Sequence, residues 1–159
     1  EGDFMYSLLI VDDEKKLREG IASLYDWNSL GFEVDACLEN GKLAIDYILH
    51  HPVDAVLCDI RMPVLDGIAF AKYIHDQKIH TKVVFLSGYS DFEYVQQAIK
   101  LGAIDYELKP LNARSLIRRV TDLRDEILKE RNSSILQLKY RQEYKSNTFQ
   151  KILKGENAD

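Results

Sequence analysis

The chain has 159 residues and a net charge of −5, and 46% of its residues are hydrophobic against 30% charged. This balance predicts one sizeable hydrophobic core and excludes a disordered or low-complexity chain. The longest apolar runs hold only four or five residues, whereas a membrane span needs roughly 20.

Hydrophobic periodicity predicts a regular alternation of strands and helices along the chain. The five predicted strands cover Tyr6 to Val11, Phe32 to Leu38, Ala55 to Asp59, Val83 to Leu86 and Ile104 to Leu108. The five predicted helices run from Glu14 to Tyr25, through Leu43 to Ile48, through Ile68 to Ile74 after a cap at Asp66, from Asp91 to Leu101, and from Ala113 to the breaker Gly155. Because parallel strands need crossovers, this order predicts a doubly wound α/β domain, a five-stranded parallel sheet with a long C-terminal helical extension.

Charge and cysteine usage narrow the classes of function. Residues 1–129 carry 15 basic and 22 acidic side chains, a net charge of −7, and the remainder carries 6 and 4, a net charge of +2. The charge of neither part indicates a nucleic-acid site.

Cys37 and Cys58 lie in strand segments without CxxC spacing, so we expect two buried thiols. Acids at Asp12 and Asp13 close the first apolar run, which is unlike a secretory signal and predicts a cytoplasmic protein.

Polar side chains follow four of the five predicted strands where each strand ends. Asp12 and Asp13 follow the first, Asp59 the third, Ser87 the fourth and Lys109 the fifth. In open α/β sheets the functional crevice lies beyond the carboxyl ends of the strands, so we expect these side chains to converge. Three carboxylates at one edge repel one another unless a cation neutralises them. Oxygen ligands without His or Cys predict Mg²⁺ or Mn²⁺ and no other cofactor. Because Mg²⁺ commonly binds substrate phosphate oxygens as well, the substrate group is expected to be phosphoryl.

The remaining groups of this edge suit phosphoryl transfer. Lys109 supplies a compact positive charge for one phosphoryl oxygen, and the Ser87 hydroxyl can donate to another. Asp59 is then left as the nucleophile, and its reaction would give an aspartyl phosphate.

Five short segments in this order resemble the receiver domains of two-component response regulators. They are Leu9-Ile10-Val11-Asp12-Asp13-Glu14, Asp59-Ile60-Arg61-Met62-Pro63, Asp66-Gly67, Ser87-Gly88 and Lys109-Pro110. The resemblance covers about Tyr6 to Leu128 and implies a flavodoxin-like sheet with strand order 2-1-3-4-5. It also implies a sensor histidine kinase as partner, and a signalling domain that catalyses only its own phosphorylation and dephosphorylation, not a conventional enzyme.

The resemblance assigns the metal site residue by residue. Asp59 looks like the phospho-acceptor and a metal ligand, and Asp13 like a direct Mg²⁺ ligand. Asp12 looks like a ligand that acts largely through water, and the backbone carbonyl of Arg61 would complete the metal shell.

The resemblance also assigns a switch. Lys109 matches the lysine that pairs with the phosphoryl group, and Ser87 matches the switch hydroxyl. Tyr106 matches the aromatic residue that turns inward when that hydroxyl engages phosphate, although a half-buried strand aromatic would give the same pattern.

A narrower likeness lies in two further segments, 25–32 and 87–94, which look like those of AraC-type regulators of the YesN-like group. Such regulators end in a helix-turn-helix output domain, for which no room remains here. We therefore expect residues 1–5 to be disordered or an added N-terminal segment, residues 6–128 to form the receiver, and residues 129–159 to form a helical linker. Transcriptional control and DNA binding would belong to the absent output domain.

The predicted C-terminal helix carries an apolar stripe that continues past the receiver. Its first part is Leu116, Val120, Leu123 and Ile127, and its second part is Ile135, Leu138, Phe149 and Ile152. Because a lone helix would leave the second part in water, we expect a homodimer through this helix or through the fourth and fifth helix face, without membrane contact. Arg131, Gln142 and Lys145 interrupt the seam, so a solvated connector remains the alternative.

Three other functions use similar groups. A metal-dependent phosphatase with an aspartyl intermediate would need a second acid two residues after its nucleophile, where Arg61 stands. A flavodoxin-like cofactor binder would offer hydroxyls and amides, not acids, after its first strand. A receiver-like dimerisation module that works without phosphate usually loses an acid or the lysine, and this chain has them all.

Overall fold

The computed structural model describes residues 5–88, 92–100 and 105–155. In these ranges strands and helices alternate along the chain, as the periodicity predicts. The strands are β1 (Tyr6–Val11), β2 (Phe32–Leu38), β3 (Ala55–Asp59), β4 (Lys82–Ser87) and β5 (Asp105–Leu108). The helices are α1 (Lys15–Leu24), α2 (Gly41–His50), α3 (Gly67–Asp76), α4 (Phe92–Lys100) and α5 (Ala113–Leu153). The predicted positions of Asp91, Leu101 and Ile104 lie outside the described residues.

The five strands form one parallel sheet in the order β2-β1-β3-β4-β5. This confirms the predicted doubly wound α/β architecture and its strand order. The central strands β1, β3 and β4 are buried along almost their whole length, which explains their continuous apolar sequences. Every strand points its carboxyl end toward the same edge of the sheet, and this edge is where the polar residues of the sequence collect.

Side-chain caps fix where two of the helices begin. Asn40 Oδ1 accepts a hydrogen bond from the Leu43 amide at 2.9 Å and so caps α2. Asp66 Oδ1 accepts one from the Ala69 amide at 2.8 Å and caps α3, as predicted. Each cap satisfies a backbone donor that the first helical turn leaves unpaired.

Helix α5 is continuous from Ala113 to Leu153. Leu116, Val120 and Leu123 of its first turns are buried, in agreement with the predicted apolar stripe. The chain divides into two compact units, with the boundary between Leu123 and Arg124. No helix in the described ranges is both long enough and apolar enough to cross a membrane.

The expectation of two buried thiols is wrong for one of them. Cys58 is buried in β3, but Cys37 is exposed. Strand β2 is an edge strand of the sheet, and its residues alternate between shielded and exposed positions. The apolar appearance of the Cys37 segment therefore reflects one face of the strand only.

Candidate functional site

The carboxyl ends of β1, β3, β4 and β5 lie side by side, because these four strands are neighbours in the sheet. Asp12 follows β1 directly, Asp59 ends β3, Ser87 ends β4 and Lys109 follows β5. The structure thus brings the predicted site residues to one edge, as their positions at the strand ends lead us to expect.

Three carboxylates form the centre of this site. One oxygen each from Asp12, Asp13 and Asp59 lies within 4.8 Å of the others. Asp12 and Asp59 are buried and Asp13 is exposed, so the cluster opens to solvent on the Asp13 side. Three oxygen donors at this spacing, without nitrogen or sulfur, fit a hard divalent cation such as Mg²⁺.

Lys109 lies between two of the acids. Its Nζ donates to Asp12 Oδ2 at 3.1 Å and lies 3.2 Å from Asp59 Oδ1. Burial of the ammonium lowers the pKa of Lys109, but the hydrogen bonds and charges of Asp12 and Asp59 outweigh burial and raise it above its ordinary value. Lys109 is therefore a fixed cation in contact with the candidate nucleophile.

The carboxyl group of Asp59 is unusually easy to protonate. Burial and the charge of Asp12 raise its pKa from 3.8 to about 6, and the charge of Lys109 offsets only part of this effect. An ionised Asp59 is thus destabilised in the metal-free site, and a bound cation would relieve that cost.

A shallow depression opens beside the carboxylates on the surface. Its lining residues are Asp13, Ile60, Arg61, Met62, Pro63 and Asp66. Most of them belong to the loop from β3 to α3, including Arg61, whose carbonyl the resemblance assigns to the metal. The loop thus borders the mouth of the site, opposite the exposed carboxylate of Asp13 from the β1–α1 connection.

Close backbone contacts connect the β3–α3 loop and the start of α3 to strand β3 and helix α2. The Gly67 amide donates to the Ile60 carbonyl at 2.7 Å, and a β-carbon on Gly67 would lie 2.2 Å from the Asp59 carbonyl oxygen. The Gly41 amide donates to the Leu65 carbonyl at 2.9 Å, and there too a β-carbon would be only 2.7 Å from that oxygen. Only glycine allows the backbone to approach a neighbouring carbonyl oxygen so closely at positions 41 and 67. The sequence pattern did not reveal this requirement, although the position of Gly67 directly after the cap residue Asp66 was a possible signal.

A strained turn lies at the rim of the depression. Val64 has φ of +70°, and the Leu65 amide donates to the Pro63 carbonyl at 2.8 Å across it. This three-residue γ-turn is rare for a β-branched residue. The positive φ of Val64 therefore indicates that contacts on both sides of the loop fix the backbone conformation at this residue.

The two predicted switch residues differ in their surroundings. Ser87 is fully buried, and its Oγ has no hydrogen-bond partner in the described part of the chain. Tyr106 is half-buried and packs against the hydrophobic core. The Lys109 amide donates to the Ser87 carbonyl at 2.8 Å, so the backbones of these two positions are linked.

We expect Ser87→Ala to stabilise the unmodified protein by up to about 1 kcal/mol, because the substitution removes a buried hydroxyl without a hydrogen-bond partner among the described residues. Urea unfolding followed by the fluorescence of the buried Trp27 measures this change. Ser7→Ala is the matched control: the Ser7 hydroxyl accepts from the Asp54 amide at 3.0 Å, so its loss should destabilise by about 1 kcal/mol. A Ser87→Ala variant destabilised as much as Ser7→Ala would contradict the assignment of Ser87 as unpartnered.

Comparisons with known proteins show which family and which solved structures the chain is similar to. The family model for the response regulator receiver domain matches residues 8–121. The uncharacterized transcriptional regulatory protein YesN of Bacillus subtilis (strain 168) is 32% identical over 126 residues, covering 79% of this chain and 34% of YesN. The transcriptional regulatory protein HptR of Staphylococcus aureus is 33% identical over 112 residues, covering 70% of this chain and 44% of HptR. The chain therefore spans less than half the length of these relatives.

A solved structure shows the same fold. The REC domain of AraT, a response regulator from Geobacillus stearothermophilus, superposes with a TM-score of 0.75 at 35% sequence identity. The match covers 80% of this chain and 98% of that domain.

Proposed function

Because the chain belongs to the response regulator receiver domain family, we propose that it accepts a phosphoryl group on Asp59 from a sensor histidine kinase and changes conformation in response. The observation that carries this proposal is the contact of Lys109 Nζ with both Asp12 and Asp59, inside a cluster of three carboxylates. Receiver domains are signalling domains, and this site has the nucleophile, the cation ligands and the phosphate-binding charge that such a role requires.

Asp13, Asp59 and the Arg61 carbonyl would hold Mg²⁺ directly, and Asp12 would hold it largely through water. The bound cation would neutralise the donor's phosphoryl oxygens and so allow an anion to approach three acids.

The chain's own residues supply the other parts. A carboxylate oxygen of Asp59 attacks the phosphorus atom, an O–P bond forms, and the P–N bond of the donor phosphohistidine breaks as the imidazole leaves. Lys109 then exchanges its contact with Asp59 for a phosphoryl oxygen. The Ser87 hydroxyl, which has no partner among the described residues, donates to another phosphoryl oxygen. The Tyr106 ring turns inward as the hydroxyl moves.

Intact-mass measurement after incubation with acetyl phosphate and Mg²⁺ tests this proposal. We expect a gain of one phosphate, which should be absent with Asp59→Asn and with excess chelator. Efficient phosphorylation under either of those conditions would contradict the assigned nucleophile or the metal requirement.

Lys109→Ala separates metal binding from the phosphate-dependent response. This variant should bind Mg²⁺ at least as well as the parent, because the ammonium addresses phosphate and repels the cation. Asp13→Ala, in contrast, should lose Mg²⁺ affinity. If both variants lost Mg²⁺ binding equally, the division between metal ligands and phosphate-binding residues would be wrong.

The greater length of the relatives supports a second part of the proposal. We assign residues 6–128 to the receiver and residues 129–159 to a linker toward an AraC-type helix-turn-helix domain, which would bind DNA. The whole regulator would act in the cytoplasm, where it can meet its kinase. Should Asp59 gain no phosphate, a phosphate-independent dimerisation module would be the alternative.

The linker part of α5 supports the proposed homodimer. Ile135, Leu138 and Ile152 are 52%, 58% and 62% exposed, and they repeat at the heptad positions of one helix face. Leu136 is also exposed, but it lies about 160° around the helix from Leu138 at 100° per residue. The two leucines therefore give a matched pair for mutation.

We expect Leu138→Ser to weaken the dimer about tenfold or more and Leu136→Ser to leave it nearly unchanged, because only Leu138 lies on the seam. Analytical ultracentrifugation with and without phosphodonor measures both variants, alongside a truncation after Lys129. A parent chain that stays monomeric at high concentration in every state would refute the homodimer.

A further inference from the structure

An acid is buried in β5 on the face of the sheet opposite the switch residue. Glu107 is only 5% exposed. Successive residues of a strand point to opposite faces, so Glu107 and Tyr106 face opposite sides. Tyr106 packs against the core cluster that contains residues of α2 and α3. Glu107 therefore lies on the side of the sheet that α5 occupies, where its partner is found.

That partner is Arg119 of α5. Its Nε donates to Glu107 Oε2 at 2.7 Å, and the two side chains are 27% and 6% exposed. A buried carboxylate that loses its cation is strongly destabilised. The ion pair therefore holds strand β5 and helix α5 together at this point, because separating the two charges would cost free energy.

The charge of Glu107 also acts on the connection between α1 and β2. Burial, and to a smaller extent the charge of Glu107, raise the pKa of the Tyr25 phenol. The Tyr25 ring packs on Trp27 at a centroid distance of 5.5 Å, and Trp27 Nε1 donates to the Ile21 carbonyl at 2.9 Å. Residues 25–32, one of the two segments that resemble YesN-like regulators, thus contain a packed aromatic pair whose tyrosine is under the electrostatic influence of Glu107.

We propose that the Glu107–Arg119 ion pair couples the phosphorylation site to helix α5. The inference rests on the proposed function of Asp59. Glu107 lies two residues before Lys109, at the end of the same short strand, and Lys109 is the group expected to move onto the phosphoryl oxygens. A shift of β5 that follows Lys109 must either carry Arg119 along or separate a buried ion pair. Separating the ion pair costs free energy, so α5 is expected to move together with β5.

The experiment uses beryllofluoride with Mg²⁺ as a phosphoryl mimic on the full chain. Hydrogen exchange of the α5 backbone amides is compared with and without the mimic, and calorimetry measures its binding. The test variant is Glu107→Met with Arg119→Met, which replaces both charges by apolar side chains of similar length. The control removes an exposed ion pair of α1, Lys15→Met with Glu19→Met.

In the parent and the control we expect the mimic to change α5 exchange rates about fivefold or more, the lower end of ordinary allosteric coupling. The Glu107/Arg119 double variant should bind the mimic within about twofold of the parent and lose most of the α5 response. Should that variant fail to fold, Glu107→Gln, which keeps the shape, must reduce the response by about half or more.

Two results would overturn the coupling: an undiminished α5 response in the double variant, or a parent that binds the mimic without any response in α5. A parent that does not bind the mimic would instead refute the proposed function itself, so the two failures are distinguishable.

Discussion

Gly67→Ala is expected to lower the free energy of unfolding by about 3 kcal/mol, the upper end of the usual cost of forcing atoms into a packed site. The added β-carbon would lie 2.2 Å from the Asp59 carbonyl oxygen and 3.0 Å from the Ile60 α-carbon. Both neighbours are backbone atoms, so no side chain can swing away, and α3 or the end of β3 must shift. Because Asp59 ends β3, the same shift should also slow its phosphorylation.

Urea unfolding followed by Trp27 fluorescence measures this loss. Gly155→Ala provides the matched substitution, since no atom of the described residues lies within 4 Å of its β-carbon position and its φ of +73° is what opposes alanine. That conformation costs about 1–2 kcal/mol locally, at the end of a helix far along the chain from Trp27. A Gly67→Ala variant less than about 1 kcal/mol below the parent would show that α3 and β3 can separate easily enough to admit a β-carbon.

Asp59→Asn should raise the free energy of unfolding of the metal-free protein by about 3 kcal/mol at pH 8. The reason is that the pKa of Asp59 is raised from 3.8 to about 6 in the folded chain, and each pKa unit corresponds to about 1.4 kcal/mol. The buried carboxylate therefore opposes folding once it is ionised, and a neutral amide of the same shape does not.

The pH dependence follows from the same shift. The folded state binds the Asp59 proton more tightly than the unfolded state, so this group adds no penalty below pH 4, and the penalty grows as the pH rises through 6. The advantage of Asp59→Asn over the parent should therefore be near zero at pH 4 and level off above pH 7. Unfolding in chelator across this range measures it.

Two additions complete this experiment. Mg²⁺ should stabilise the parent and narrow the gap, because a cation bound only by the folded state favours folding. The exposed Glu33→Gln is a control that should stay within about 0.5 kcal/mol of the parent at pH 8. An Asp59→Asn variant less stable than its parent at pH 8 would mean that the contact with Lys109 outweighs the burial of the carboxylate.

The sheet could be predicted from the sequence because strands that are buried on both faces have continuous apolar sequences. β1 and β2 have the predicted ends, and β3 ends on Asp59 as predicted. The site followed from topology, since parallel strands bring their carboxyl ends to one edge. Helix α1 is slightly shorter than its periodicity predicts: it begins at Lys15 and ends at Leu24, one residue inside the prediction at each end.

Contacts between distant residues could not be predicted in the same way. Nothing in the local pattern says that Lys109 reaches Asp12 as well as Asp59, or that Glu107 is buried against Arg119. Val64 is a further case, because a β-branched residue has a low intrinsic preference for positive φ and only the surrounding loop contacts impose it. These features depend on tertiary packing, which single-residue preferences do not contain.

The exposed edge of strand β2 affects how molecules of this chain associate in concentrated solution. As an edge strand it offers unpaired backbone groups to any other sheet, yet its exposed positions include Glu33 and Asp35. Between two molecules that approach edge to edge these carboxylates repel, and natural proteins use such charges to prevent intermolecular sheet growth. This repulsion should keep concentrated solutions of the chain free of fibrillar aggregates that grow through the β2 edge.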